Sequence, residues 1–127
     1  MAEWVYANPN PRGRRTDDCV IRAVSLATGQ DWDTTYTMVS LTGYAMDDMP
    51  SMNHVWRAYL KGIGYKRATI PNTCPDCYTV NDFAEDHPNG TYILGCGTHA
   101  VCVKNGRTYD TFDSREYLPL YYYYKED

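Results

Sequence analysis

Ten consecutive residues, Cys19 to Thr28, contain only three side chains that are not apolar: Arg22, Ser25 and Thr28. Gly29 follows at once. A helix that is apolar nearly all round has to be buried, so this run predicts a central helix on which the rest of the chain packs. Thr16, Asp17 or Asp18 is placed to cap its start, and Gly29 suits the left-handed residue that closes a helix. Cys19 then falls in the first turn, where backbone N–H groups have no intrahelical acceptor.

The segments on either side read more simply. Residues 1–16 are rich in Pro, Asn and Arg and predict an extended arm. A second helix is expected to open at Asp31 or Asp33, with Trp32, Tyr36 and Val39 on one face, and to end near Gly43. A third is expected from Ser51, where Met52, Trp56, Tyr59 and Ile63 recur at helical spacing and Gly62 marks the end. Tyr65 to Ile70 suits a short strand, and Thr79 caps a short helix through Ala84. Three further strands are expected over Thr91–Leu94, His99–Lys104 and Arg107–Phe112. The last two are joined by Asn105-Gly106, whose tolerance of positive φ makes it a strong hairpin signal. A fourth, Leu118–Tyr124, reads as an outer strand. Helices first and an antiparallel sheet last describe an α+β domain over 1–127.

Composition narrows the function classes. A formal charge of −4 over 127 residues argues against nucleic acid as the main partner. The one basic cluster, Arg12, Arg14 and Arg15, is offset by Asp17 and Asp18 and reads as a solvated loop rather than a phosphate site. No apolar run approaches the roughly 18 residues of a membrane span. Met1 to Asn10 has no charged start followed by an apolar stretch, so a cytoplasmic location is expected. Five cysteines is an odd number, and free thiols are the expectation in a reducing compartment.

A thiol nucleophile needs a lowered pKa, a histidine within hydrogen-bond reach and a third group to hold the ring. Cys19 at a helix start and His99 at the head of a hairpin strand supply the first two. The hairpin locates the third. With a two-residue turn at Asn105-Gly106, Lys104 faces Arg107 and His99 falls opposite Phe112. Asp110 is then the diagonal neighbour of His99 on the same face, at about 7 to 8 Å between backbones. Asp113 faces Thr98 and points to the other side, so it is the reserve, available if a bulge shifts the register. The plainer reading of Cys19 is a structural thiol packed as a small hydrophobe.

Two stretches carry a resemblance. Asn10-Pro11-Arg12-Gly13-Arg14-Arg15-Thr16-Asp17-Asp18-Cys19-Val20-Ile21-Arg22-Ala23 resembles the nucleophile region of small phage-encoded papain-like cysteine peptidases. Gly90-Thr91-Tyr92-Ile93-Leu94, then His99-Ala100-Val101 and Asn105-Gly106-Arg107-Thr108-Tyr109-Asp110-Thr111-Phe112-Asp113-Ser114, resembles their His-hairpin-Asp region. The pairing of a Cys helix with a His hairpin is also similar to cell-wall NlpC-type peptidases and transglutaminase-like proteins. The resemblance implies a papain-like fold, a Cys-His-Asp triad and no cofactor. It departs at one point: papain-type enzymes carry an oxyanion-stabilising Gln about six residues before the nucleophile, where this chain has Gly13. Asn10 is the nearest amide and stands as its substitute. Asp17-Asp18 also disfavours a thiolate next door unless turned away or used in capping.

Outside that constellation, Cys74-Pro75-Asp76-Cys77 has the spacing of a zinc or redox pair, but the other ligands a zinc site needs (Cys96, Cys102, His87) are irregularly placed. His54 reads as a surface or core histidine. Tyr121 to Tyr124, alternating in a strand, would expose two rings as a homodimer seam or pack them on the arm. Two functions remain. One is a cysteine-dependent hydrolase acting on a peptide or protein substrate, or transferring its acyl group to an amine. The other is an inactive binding or inhibitor protein of the same fold, directed at a host factor.

Overall fold

The computed structural model describes residues 1–72 and 77–125. In chain order the described elements are β1 (Glu3–Tyr6), α1 (Cys19–Thr28), α2 (Trp32–Ala45), α3 (Asn53–Gly62), β2 (Tyr65–Thr69), α4 (Val80–Asp86), β3 (Thr91–Gly95), β4 (Ala100–Lys104), β5 (Arg107–Asp110) and β6 (Tyr121–Lys125). Four helices and a six-stranded sheet make the architecture α+β. The helix ends follow their local chemistry. Gly29 closes α1 at φ 75°, its N–H donating to Ser25 O at 3.0 Å. Asp31 caps α2 by accepting the Thr34 N–H at 2.6 Å. Thr79 and Asp82 form a reciprocal capping box at α4.

The strand order is β1-β5-β4-β3-β6-β2. The hairpin register is the one the turn dictates: Lys104 faces Arg107, Val103 faces Thr108 and Cys102 faces Tyr109. Asn105 and Gly106 both hold positive φ, 50° and 76°, as a tight hairpin turn requires. Three expectations are corrected. The arm over 1–16 contains β1, which pairs parallel to β5 and makes the sheet mixed rather than antiparallel. Four residues of strand were hidden by the Pro, Asn and Arg that follow. The tyrosine strand is interior rather than outer, paired with β3 on one side and β2 on the other. It starts at Tyr121 because Pro119 has no N–H for a ladder. Finally, β5 stops at Asp110, whose Oδ1 takes the Thr111 N–H at 2.8 Å and turns the chain.

The sheet is covered on both faces. On one, Val20, Ile21, Ala23 and Val24 of α1 join Trp56 and Leu60 of α3, Ile93 of β3, and Tyr121 and Tyr123 of β6. On the other, Phe83 and Ala84 of α4 join Leu94, Val101 and Val103. Alternation along β6 thus sends Tyr121 and Tyr123 into the core, while Tyr122 and Tyr124 stay half-buried. The aromatic face expected of α2 is divided: Val39 is buried, but Tyr36 stacks on Trp32 at 5.2 Å and remains exposed. Met52 is likewise exposed. His54 is at the surface, paired with Asp48 at 2.7 Å. Cys19, Cys96 and Cys102 are free thiols, whereas Cys77 is disulfide-bonded against the expectation of a free thiol, and as such is no thiolate zinc ligand. Cys74 lies outside the described residues.

One backbone contact sets the spacing between β3 and β6. A Cβ at Gly95 would run into the Tyr121 ring, so only glycine lets that ring lie flat across β3. Gly95→Ala is expected to lower stability by about 1–3 kcal/mol, measured by urea unfolding. Gly62→Ala, at a position with open space, serves as the near-neutral comparison.

Candidate active site

Cys19 opens α1 half-buried. The His99 ring and the Ala100 backbone N–H both favour the thiolate form of its sulfur. His99 sits just before β4, held by a tight turn in which the Cys96 N–H donates to His99 O at 2.7 Å. On its other side the ring donates from Nε2 to Asp110 Oδ2 at 2.7 Å. His99 is thus hydrogen-bonded to Asp110 on one side, and it interacts electrostatically with Cys19. The ring is fixed laterally by Phe112 and Tyr117, with centroids 4.9 and 5.3 Å away.

Asp110 is itself heavily restrained and only 3% exposed. Ser114 Oγ donates to it at 2.7 Å, and Arg22 Nη2 stands 3.6 Å away. Its carbonyl takes the Ala7 N–H at 3.0 Å and the Trp4 indole N–H at 3.3 Å, so β1 anchors the backbone that carries it. Asp113, the reserve, is not near His99. It pairs with Arg115 at 2.7 Å at the surface, and that hydrogen bond holds its carboxyl below the usual range.

The acidic pair before Cys19 divides. Asp17 is exposed, but Asp18 is buried and turned away from the thiol. It makes no side-chain cap; it pairs with Arg22 one helical turn on, and accepts the Trp32 indole N–H at 2.9 Å. Arg22 thus bridges Asp18 and Asp110. Asn10 is also buried. Its amide nitrogen contacts Asp18 Oδ2 at 3.5 Å and its oxygen accepts the Arg12 N–H at 3.0 Å. Both ends of the amide are engaged away from the thiol, so Asn10 clasps the loop and is not placed as an oxyanion donor.

Electrostatics single out one thiol. Burial works against ionising Cys19, yet the hydrogen bonds from His99 and Ala100, with the charges of His99 and Arg22, outweigh it and lower its pKa below the ordinary value of 9.0. Burial also opposes charging His99, but the hydrogen bonds to Asp110 and Cys19 raise its pKa to about 9. The arrangement eases loss of the Cys19 proton while His99 holds its own more tightly. Cys96 and Cys102 are pushed up by burial to about 12 and stay protonated.

The pair opens onto a cleft of about 730 Å³, walled by Trp56, Phe112 and Tyr6 and by the 13–17 loop. Among the described residues no group of three or more His, Cys, Asp or Glu is arranged to hold a metal, and no helix is long and apolar enough to cross a membrane. Sequence reasoning reached Cys19, His99 and Asp110 but missed Arg22 and Ser114. The signal for Arg22 was present: a lone charge in an apolar helix, four residues after an aspartate, is an i,i+4 pair on one face.

Removing Arg22 leaves two buried carboxylates without their common cation. Arg22→Met is expected to cost about 3–5 kcal/mol in chemical denaturation, with part recovered by adding Asp18→Asn. No protein family, no curated protein and no solved structure matches the chain.

Proposed function

We propose that this chain is a cysteine-dependent hydrolase of papain-like fold, phage-encoded, acting on an amide or isopeptide bond of a peptide or protein in the bacterial cytoplasm. The observation that carries the reading is that Cys19 and His99 line one cleft, with His99 hydrogen-bonded at 2.7 Å to the buried Asp110. The resemblance of the two site segments supports the fold and the phage origin.

In this reading the Cys19 thiolate attacks the substrate carbonyl carbon. The carbonyl electron pair moves to oxygen, and the N–H of Cys19, in the first turn of α1, faces the resulting oxyanion. His99 gives its proton to the leaving nitrogen as the C–N bond breaks, leaving an acyl thioester on Cys19. His99, now neutral, takes a proton from water as that water attacks the thioester. The intermediate collapses to a carboxylic acid and the free thiolate, and His99 is an imidazolium again. An amine replacing the water gives acyl transfer with the same three residues. Asp110 keeps the ring oriented and supports its charge throughout.

A second reading, a binding protein directed at a host factor, draws on the outward side of α2 and the loop after it, where Leu41, Tyr44 and Met49 are 57%, 83% and 66% exposed. Alkylation separates the two. At pH 7, iodoacetamide is expected to modify Cys19 at least tenfold faster than Cys96 or Cys102, because the pKa of Cys19 is lowered while theirs are raised. His99→Ala should remove that advantage. Equal labelling of the three thiols, located by peptide mass, would overturn the hydrolase reading.

The pH dependence has a defined sign. His99 binds its proton more tightly folded than unfolded, so the stability it contributes is complete below 6.5 and lost as pH rises through about 9. Turnover needs that proton for the leaving nitrogen, so kcat/KM is expected to fall on the alkaline side with a midpoint near pH 9. A thermal-unfolding series over the same range should show the matching loss of stability.

A further inference from the structure

The loop between Asn10 and Asp18 is clasped at both ends by buried residues that touch each other at 3.5 Å. What lies between them is exposed and forms one wall of the cleft, so Arg14 and Arg15 line the same cleft as the thiol. Arg12, Arg22, Arg107 and Arg115 each pair with a carboxylate, on Asp33, Asp18, Glu3 and Asp113. Among the described residues no carboxylate lies within ion-pair distance of Arg14 or Arg15. Asp18, the nearest buried acid in sequence, is already committed to Arg22 and Trp32. The single carboxylate on the cleft wall is Asp17.

The neutral polar groups on the wall have the same bias. Asn8 uses its side-chain oxygen to accept the Asn10 N–H at 3.1 Å, and Asn53 uses its oxygen to accept the Trp56 indole N–H at 3.1 Å. Both amides line the cleft with their acceptor engaged, leaving NH₂ groups to offer. Two guanidiniums and two amide NH₂ groups therefore present donors, on a chain whose overall charge is −4. A cleft so equipped recognises an acceptor-rich anion, and guanidinium forks suit a carboxylate in particular.

We infer that the substrate of the proposed hydrolase carries a carboxylate, an acidic side chain or a free C-terminus, close to the scissile carbonyl, and that Arg14 and Arg15 seat it. The inference rests on the hydrolase reading for the bond that is cleaved, and on the donor-rich wall for the class of substrate.

The test needs no identified substrate. Iodoacetate and iodoacetamide alkylate a thiolate by the same displacement, in which sulfur bonds to the methylene carbon and iodide leaves, but only iodoacetate brings a carboxylate. The quantity measured is the ratio of the two Cys19 alkylation rates at pH 7 and low salt. In the double variant R14Q/R15Q that ratio is expected to fall about three- to tenfold, and Asp17→Asn should raise it. Added salt should shrink the difference between wild type and the double variant. Rapid, His99-dependent alkylation by iodoacetamide with a ratio indifferent to Arg14, Arg15 and Asp17 would overturn the carboxylate inference while sparing the hydrolase. Slow alkylation by both reagents, no faster than at Cys96, would instead overturn the hydrolase reading. Circular dichroism of the double variant verifies that the exposed loop changes leave the fold intact.

Discussion

The Arg22 guanidinium, lodged between two nearly inaccessible carboxylates, is the interaction on which the site's geometry turns. Asp18 and Asp110 come from opposite ends of the chain and are both buried. Each would be too costly to hold ionised alone. Sharing one cation joins the front of α1 to the end of β5, the two places from which Cys19 and His99 are set. The same contact relieves the thiol of a negative neighbour, because Arg22 pairs with Asp18 and its charge also favours the Cys19 thiolate. Trp32, Asn10 and Ser114 complete the hydrogen bonding of the two carboxylates, as a buried ionic group requires.

Around that junction the fold behaves as a frame. α1 lies on β4 and β3 through Val20, Ile21 and Val24, and α4 seals the opposite face with Phe83. β1 lies along β5 and fixes the Asp110 carbonyl with two donors. A histidine placed before a strand, rather than within it, would swing freely; Phe112 and Tyr117 on its flanks restrict it. The proposed chemistry thus draws on rigid elements at every member of the triad.

What was legible in the sequence was local or arithmetical. The apolar run from Cys19 and the glycine after it gave α1 to the residue. The Asn105-Gly106 turn gave the register, and the register gave Asp110 over Asp113. What escaped depended on partners far away in the chain. β1 is four residues long and earns its conformation only by pairing with β5, a hundred residues on. The interior place of β6 is fixed by β2 and β3 together, which no pattern within Tyr121–Lys125 reveals. Asn10 looked free to serve an oxyanion because its spacing from Cys19 was the only guide. Its burial against Asp18 follows from the loop's path. Tyr36 and Met52 have the periodicity of core residues, yet the outward side of α2 and its connection to α3 has no covering element among those described.

Cys19 and His99 stand eighty positions apart, with most of the sheet encoded between and after them. During synthesis the sulfur leaves the ribosome long before its imidazole does, and domains of this kind complete their distant pairings late. Until β4 and β5 dock, Cys19 is an ordinary thiol with an ordinary proton. In the proposed reading, the site is complete only once the sheet has closed.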